Sequence, residues 1–140
     1  MRNRITPENI TTLTPNEIFV FGSNTAGIHG AGAAKLAYEK FGAKWGYGHG
    51  HIGQTYAIPT KDNNIKTLSI EYINLAVQEF IRYVNIQNNI FNNDVIYLVT
   101  QIGCGLAGYK PEQIAPLFKN VIDIENVYLP EVFWKILKKD

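Results

Sequence analysis

Glu17-Ile18-Phe19-Val20-Phe21-Gly22-Ser23-Asn24 is the stretch whose reading decides the fold. Its apolar core shows no polar alternation and is stopped by glycine. That pattern suits a strand covered on both faces, as in a mainly parallel sheet with helices above and below. The chain then passes through residues 24–32, a loop with three glycines. Residues 31–41 follow with small and helix-favouring side chains, and Gly42 stands at a plausible position just past a helix end. The same unit recurs downstream. Residues 94–100 contain Val-Ile-Tyr-Leu-Val-Thr and run into a second glycine loop, 103–108. Pro111 suits the first turn of the next helix, and Pro116 bends or splits it.

The segments between these units fill in the order. Residues 45–53 are rich in glycine, histidine and aromatics and predict no regular element, while 55–58 read as a short strand closed by Pro59. Ser69 can cap a helix whose Ile70, Ile73, Val77, Phe80, Ile81 and Val84 share one face. An asparagine-rich turn (Asn88, Asn89, Asn92, Asn93) follows, and residues 127–129 and 130–138 supply a last strand and helix. Strands alternating with helices predict a single α/β domain over residues 1–140, with right-handed crossovers and helices on both faces of the sheet. No internal repeat suggests a solenoid.

Composition narrows the function classes. With 140 residues, 46% hydrophobic and 18% charged, the chain can bury a core and lies far from the disordered class. Thirteen Lys and Arg against twelve Asp and Glu give no field that would draw it to nucleic acid or an anionic membrane. Lys135, Lys138 and Lys139 read as a solvated helix terminus. The lone Cys104 makes no internal disulfide, no signal peptide is evident, and no apolar run approaches the roughly 20 residues of a membrane span. A cytoplasmic location is expected, with no membrane partner. Nothing in the pattern speaks to oligomeric state.

In open α/β sheets the ligand crevice lies at the carboxyl ends of the strands, where both glycine loops would emerge. Glycine lets the backbone approach a ligand closely, and a following helix start offers unpaired N–H groups, a combination suited to phosphate. Gly103-x-Gly105-x-x-Gly108 matches the dinucleotide fingerprint in form, but no later strand carries an acidic ribose-binding residue, so a dehydrogenase is excluded. The first loop lacks the Gly-Lys-Ser/Thr ending of a triphosphate-binding loop, although Lys35 follows it. The plainer reading is that these glycines only make tight turns.

Glu8-Asn9-Ile10-Thr11, then Phe19-Val20-Phe21-Gly22-Ser23-Asn24, then Gly30-Ala31-Gly32, resemble in order and spacing the opening of a macrodomain. Gln54-Thr55-Tyr56-Ala57-Ile58-Pro59 resembles that family's central strand. Ile102-Gly103-Cys104-Gly105-Leu106-Ala107-Gly108-Tyr109 resembles its later glycine loop. More narrowly, the chain is similar to a branch of macrodomain-like bacterial and phage proteins marked by the Phe-Gly-Ser-Asn and Ile-Gly-Cys-Gly-Leu-Ala-Gly-Tyr motifs. The resemblance implies a three-layer α/β/α fold with a mixed, largely parallel sheet. It implies a small-molecule nucleotide ligand, ADP-ribose or a related diphosphate derivative, no cofactor, and hydrolysis of an ADP-ribosyl linkage as a further activity of the site. The ligand-binding residues it implies are Asn9, Gly22, Ser23, Asn24, Gly30, Ala31, Gly32, Gly103, Cys104, Gly105, Leu106, Ala107, Gly108 and Tyr109. Asn24 would lie near the distal ribose, with Tyr109 closing over that end. In catalysis Asn24 would position ribose or water, and His29 would relay protons. Two departures stand out: Asn9 occupies the place of the usual base-recognising aspartate, and Gly22-Ser23 replace two alanines. No acidic pair accompanies residues 30–32.

Other residues carry alternatives. Cys104 near a helix start suggests a thiolate nucleophile, against the plain reading of a small buried thiol. His49-x-His51, with His29 and Cys104, offers zinc-type ligands at weak spacing; the histidines also suit polar loop positions. A thiol- or zinc-dependent hydrolase is thus one alternative, although the preferred reading calls for no metal. Asp62, after a strand end, is placed either to orient a water or to serve a surface turn. The eight tyrosines and seven phenylalanines leave room for a non-catalytic interaction protein with an exposed aromatic patch.

Overall fold

The computed structural model describes residues 3–91 and 94–138. Asn92, Asn93 and Lys139 of the sequence reading lie outside the described residues. In chain order the elements are strand β1 (Glu17–Asn24), helix α1 (Gly32–Leu36) widening into a π turn (Ala37–Phe41), β2 (Gly50–Ile52), β3 (Thr55–Lys61) and α2 (Ile70–Ile90). They continue with β4 (Ile96–Val99), α3 (Pro111–Ile114) tightening into a 3-10 helix (Ala115–Val121), β5 (Val127–Tyr128) and α4 (Glu131–Leu137). The strands form one sheet in the order β2-β3-β1-β4-β5. β1 runs parallel to both β3 and β4, β4 runs parallel to β5, and only β2 is antiparallel.

The unbroken apolar run of β1 is explained by the two cores it feeds. Ile18 and Val20, with Tyr56, Ile58, Tyr97 and Val99, pack against α2, α4 and the 3-10 helix. Phe19 and Phe21, with Ala57, pack on the opposite face against Ala34, Ala37 and Phe41. The result is the expected α/β/α layering, with a mixed and mostly parallel sheet. Helix α2 follows its sequence pattern closely. Ser69 Oγ accepts from the Tyr72 amide at 3.2 Å, and Ile73, Val77, Phe80 and Val84 are fully buried. Each such burial contributes about 1.5–3 kcal/mol relative to exposure. Among the described residues no helix is long and apolar enough to cross a membrane.

Three boundaries differ from the sequence reading. The 31–41 helix forms, but its last turn is a π turn in which the amide of Gly42, at φ 96°, reaches back to the Ala37 carbonyl. Residues 50–52, read as irregular, form β2 by pairing with residues 55–57. β3 also runs through Pro59 to Lys61. β2 ends opposite Ala57, so Pro59 sits where that side of the strand needs no donor. Pro116 does divide its helix, the α turn giving way to a 3-10 helix at Ala115.

Arg4 ties the start of the chain to its end. Its guanidinium donates to the carbonyls of Val121, Ile122, Ile124 and Val127 at 2.7–3.2 Å. It also lies 4.9 Å from the centre of the Trp134 ring, whose Nε1 donates to the Arg4 carbonyl at 2.6 Å. A planar five-donor fork suits a fan of carbonyls, which an ammonium does not match. Arg4→Ala is therefore expected to destabilise the protein by about 3 kcal/mol in denaturant unfolding, with Arg4→Lys recovering less than half. A loss below about 1 kcal/mol would contradict this role.

Candidate functional site

The carboxyl ends of β3, β1 and β4 meet at one edge of the sheet. Thr100 donates both its amide and its hydroxyl to the Val20 carbonyl, at 3.0 and 2.8 Å, and Thr60 Oγ1 donates to the Ser23 carbonyl at 3.2 Å. Gly22 is the meeting point. A Cβ there would make ordinary contact with the Thr60 methyl at 3.4 Å and the Gly103 nitrogen at 3.6 Å, so the two glycine loops lie close together at this position. Between them lies a cavity of about 450 Å³. Its wall includes Gly22, Ser23, Asn24, Gly30, Ala31 and Gly32 from the first loop, and Gly103, Gly105, Leu106 and Ala107 from the second. A larger recess of about 1000 Å³ adjoins it through shared walls at Gly32, Ala33, Thr100 and Gln101, and carries Asn9.

The first loop is held by backbone crowding. A Cβ on Gly48 would overlap the Asn24 carbonyl oxygen, and one on Gly27 would overlap the backbone of Tyr47. Ser23 Oγ donates to the Gly48 carbonyl through a short hydrogen bond. Asn24, buried, donates from Nδ2 to the Ile28 carbonyl at 2.7 Å and accepts at Oδ1 from the Ile28 amide at 2.9 Å. Its carboxamide thus fixes the loop while its residue lines the cavity. The second loop is closed by Gly108 N–H to the Gly105 carbonyl and Tyr109 N–H to the Gly103 carbonyl, at 3.0 and 2.9 Å.

Several wall residues keep main-chain amides that make no backbone hydrogen bond. Helix α1 begins after Ala31, which offers no side-chain cap, and its first turn holds no acidic residue. The amides of Gly32, Ala33 and Ala34 have no intrahelical acceptor. In the second loop, the amides of Gly105, Leu106 and Ala107 make no backbone hydrogen bond among the described residues. The helix after that loop is different: the Lys110 amide is taken by Gln113 Oε1 at 2.9 Å, so α3 does not open onto the cavity as the first helix does.

Several residues expected at the site lie elsewhere. His29 is 1% exposed, donates from Nε2 to the Lys44 carbonyl at 2.9 Å, and sits among Phe21, Tyr38 and Trp45. It is a core histidine and is not placed to relay protons in the cavity. Cys104 does not line the cavity; its thiol turns to the Ile102 carbonyl at 3.5 Å and packs against the larger core. Burial, with Glu112 nearby, pushes that thiol up to about 11, the opposite of an activated thiolate. Gly108 and Tyr109 also fall outside the wall. Tyr109 donates its hydroxyl to the Leu68 carbonyl at 2.6 Å, which anchors the approach to α2 and does not cover the site. Asp62 serves a turn, its Oδ1 accepting from the Asn64 and Lys66 amides. His49 and His51 lie apart from Cys104, near Glu79 and Tyr83 respectively. Among the described residues no group of three or more His, Cys, Asp or Glu could hold a metal ion.

The structure also adds wall residues that motif reading passed over: Ile28, Thr60, Lys61, Ile65, Thr100 and Gln101. Thr60 and Lys61 end β3 and Thr100 follows β4, and that position at the carboxyl ends of two core strands could have nominated them. Ile65 had no such signal. It holds a left-handed backbone at φ 63°, a conformation costly for a β-branched residue.

No protein-family model, curated protein or solved structure matches the chain.

The glycines fall into two testable groups. A Cβ on Gly30 or Gly105 meets nothing within 4 Å, and neither has left-handed backbone. Gly30→Ala and Gly105→Ala are expected to change stability by less than about 1 kcal/mol, whereas Gly48→Ala should cost more than about 3 kcal/mol or prevent folding. Equal effects, measured by thermal and denaturant unfolding, would show that the loops do not approach as described.

Proposed function

We propose that the chain binds ADP-ribose or a related nucleotide diphosphate derivative, with the diphosphate between the two glycine loops. The observation that carries this reading is that wall residues of both loops, residues 32–34 and 105–107, have main-chain amides without a backbone acceptor, with Lys61 the charged side chain among the described residues of the wall. Phosphate oxygens accept from such donors, and the positive end of a helix favours them further. The adjoining recess is the place for the nucleoside. Its wall combines the apolar Phe19 and Leu36 with the amides of Asn9 and Gln101. A carboxamide at residue 9 both donates and accepts, so it suits more than one base edge.

The resemblance of residues 8–11, 19–24, 30–32 and 102–109 to macrodomain motifs supports ADP-ribose among diphosphates. The wall of the loop cavity carries no His, Cys, Asp or Glu side chain, which supports binding over acid–base hydrolysis. The thiol- or zinc-dependent alternative loses its support, because Cys104 faces the core and the histidines are scattered.

Thermal shift and calorimetry with ADP-ribose, NAD, ADP and zinc test the proposal. At about a hundred times its Kd, ADP-ribose should stabilise the protein by about 2.7 kcal/mol. Gly105→Val, whose side chain projects into open space, should fold normally and lose at least about tenfold in affinity. No response to any nucleotide would reject the reading.

A further inference from the structure

A third recess, distinct from the cavity between the glycine loops, touches the first loop only at Thr25, and no residue lines both. It has a volume of about 540 Å³, and its floor is Pro59 and Ala76, both buried. Around the mouth stand Tyr47, Tyr72, Leu75, His49 and Glu79. The tyrosines are 58% and 49% exposed, so their rings are accessible to a ligand. Glu79, on α2, has one ionic neighbour among the described residues, His49 Nε2 at 3.7 Å from Oε1, a separation too long for a hydrogen bond. Among the described residues no lysine or arginine lines the recess.

We propose that this recess binds a guanidinium group, as free arginine or as an arginine side chain of a peptide. The electrostatics select a cation: one carboxylate, two exposed tyrosines and an apolar floor attract positive charge, with His49, 3.7 Å from Glu79, the nearest group that competes for the carboxylate. Guanidinium fits better than ammonium, because it is planar and weakly hydrated, stacks on tyrosine, and donates to both oxygens of one carboxylate. The segment carrying Tyr47 and His49 is fixed for this by Gly48 against Asn24 and by the Ser23 hydrogen bond to the Gly48 carbonyl. The recess is thus held from behind, and only its outer side chains need to adjust.

Nuclear magnetic resonance titration of the full chain tests this, using Nα-acetylarginine amide, its citrulline counterpart, and a glycine-arginine-glycine peptide. Citrulline keeps the shape and loses the charge. The expected result is saturable shifts at the amides of Gly46, Gly48 and His49 with the arginine probe, and binding weaker by about tenfold or more with citrulline. Glu79→Gln, at an exposed position that the fold does not depend on, should reduce arginine binding by a similar factor, and Tyr72→Ala should reduce it as well. Tighter binding of the peptide would assign a polypeptide source, and equal affinity would assign the free amino acid. Equal binding of arginine and citrulline, no binding of either at millimolar concentration, or full affinity in Glu79→Gln would overturn the proposal. Gly105→Val should leave these titrations unchanged, which separates this site from the nucleotide cavity.

Discussion

The close approach of two backbones, residues 46–48 against residues 24–27, is the constraint on which the site depends. Gly48 and Gly27 allow it, since a Cβ on either would overlap the facing main chain. Ser23 then donates across the contact to the Gly48 carbonyl, and Asn24 secures Ile28 from both ends of its carboxamide. The chain leaves β1 on a fixed path and enters α1 at Gly32 with no side chain capping the helix start. A polar cap there would satisfy amides that now have no intrahelical acceptor. Local stability has been left out at a place where a bound anion would supply it.

The second loop reaches the same place by a different route. Gly103, at φ 77°, brings its backbone to Gly22, where a Cβ at 103 would press to 3.0 Å from the Ile114 side chain. Thr67 Oγ1 donates to the Ala107 carbonyl at 2.9 Å, and Tyr109 donates to Leu68. The segment after β3 thus buttresses the loop after β4, and Ile65 takes its strained conformation within that segment. On the proposed reading an anion at this edge would be held mostly by main-chain donors, a mode that suits a nearly neutral protein because it does not depend on side-chain charge.

Much of this was legible in residues 17–24 and 69–84. A strand buried on both faces has an unbroken apolar run, and a capped helix with one apolar stripe has a period, so both elements announce themselves locally. β2 was not legible, because three residues between glycines gain their structure from pairing with β3 and not from their own propensity. The extension of β3 past Pro59 was hidden for a related reason: a proline is compatible with a strand only where the neighbouring strand has ended. At the site, glycine alone marked the loops but not which positions are crowded: Gly27 and Gly103 are close-approach positions, whereas a Cβ on Gly30 or Gly105 meets nothing within 4 Å. The inward or outward direction of His29, Cys104 and Tyr109 was not, because each depends on partners distant in sequence: Lys44 and Trp45 for His29, the core beneath the loop for Cys104, and Leu68 for Tyr109.

The central claim is that main-chain amides from both glycine loops hold one diphosphate. A crystal structure of the protein grown with ADP-ribose tests it most directly. Phosphate oxygens are expected about 3 Å from amide nitrogens among residues 32–34 and 105–107, with the nucleoside in the recess that carries Asn9. A ligand bound elsewhere, or one whose phosphates face solvent while those amides stay uncontacted, would contradict it.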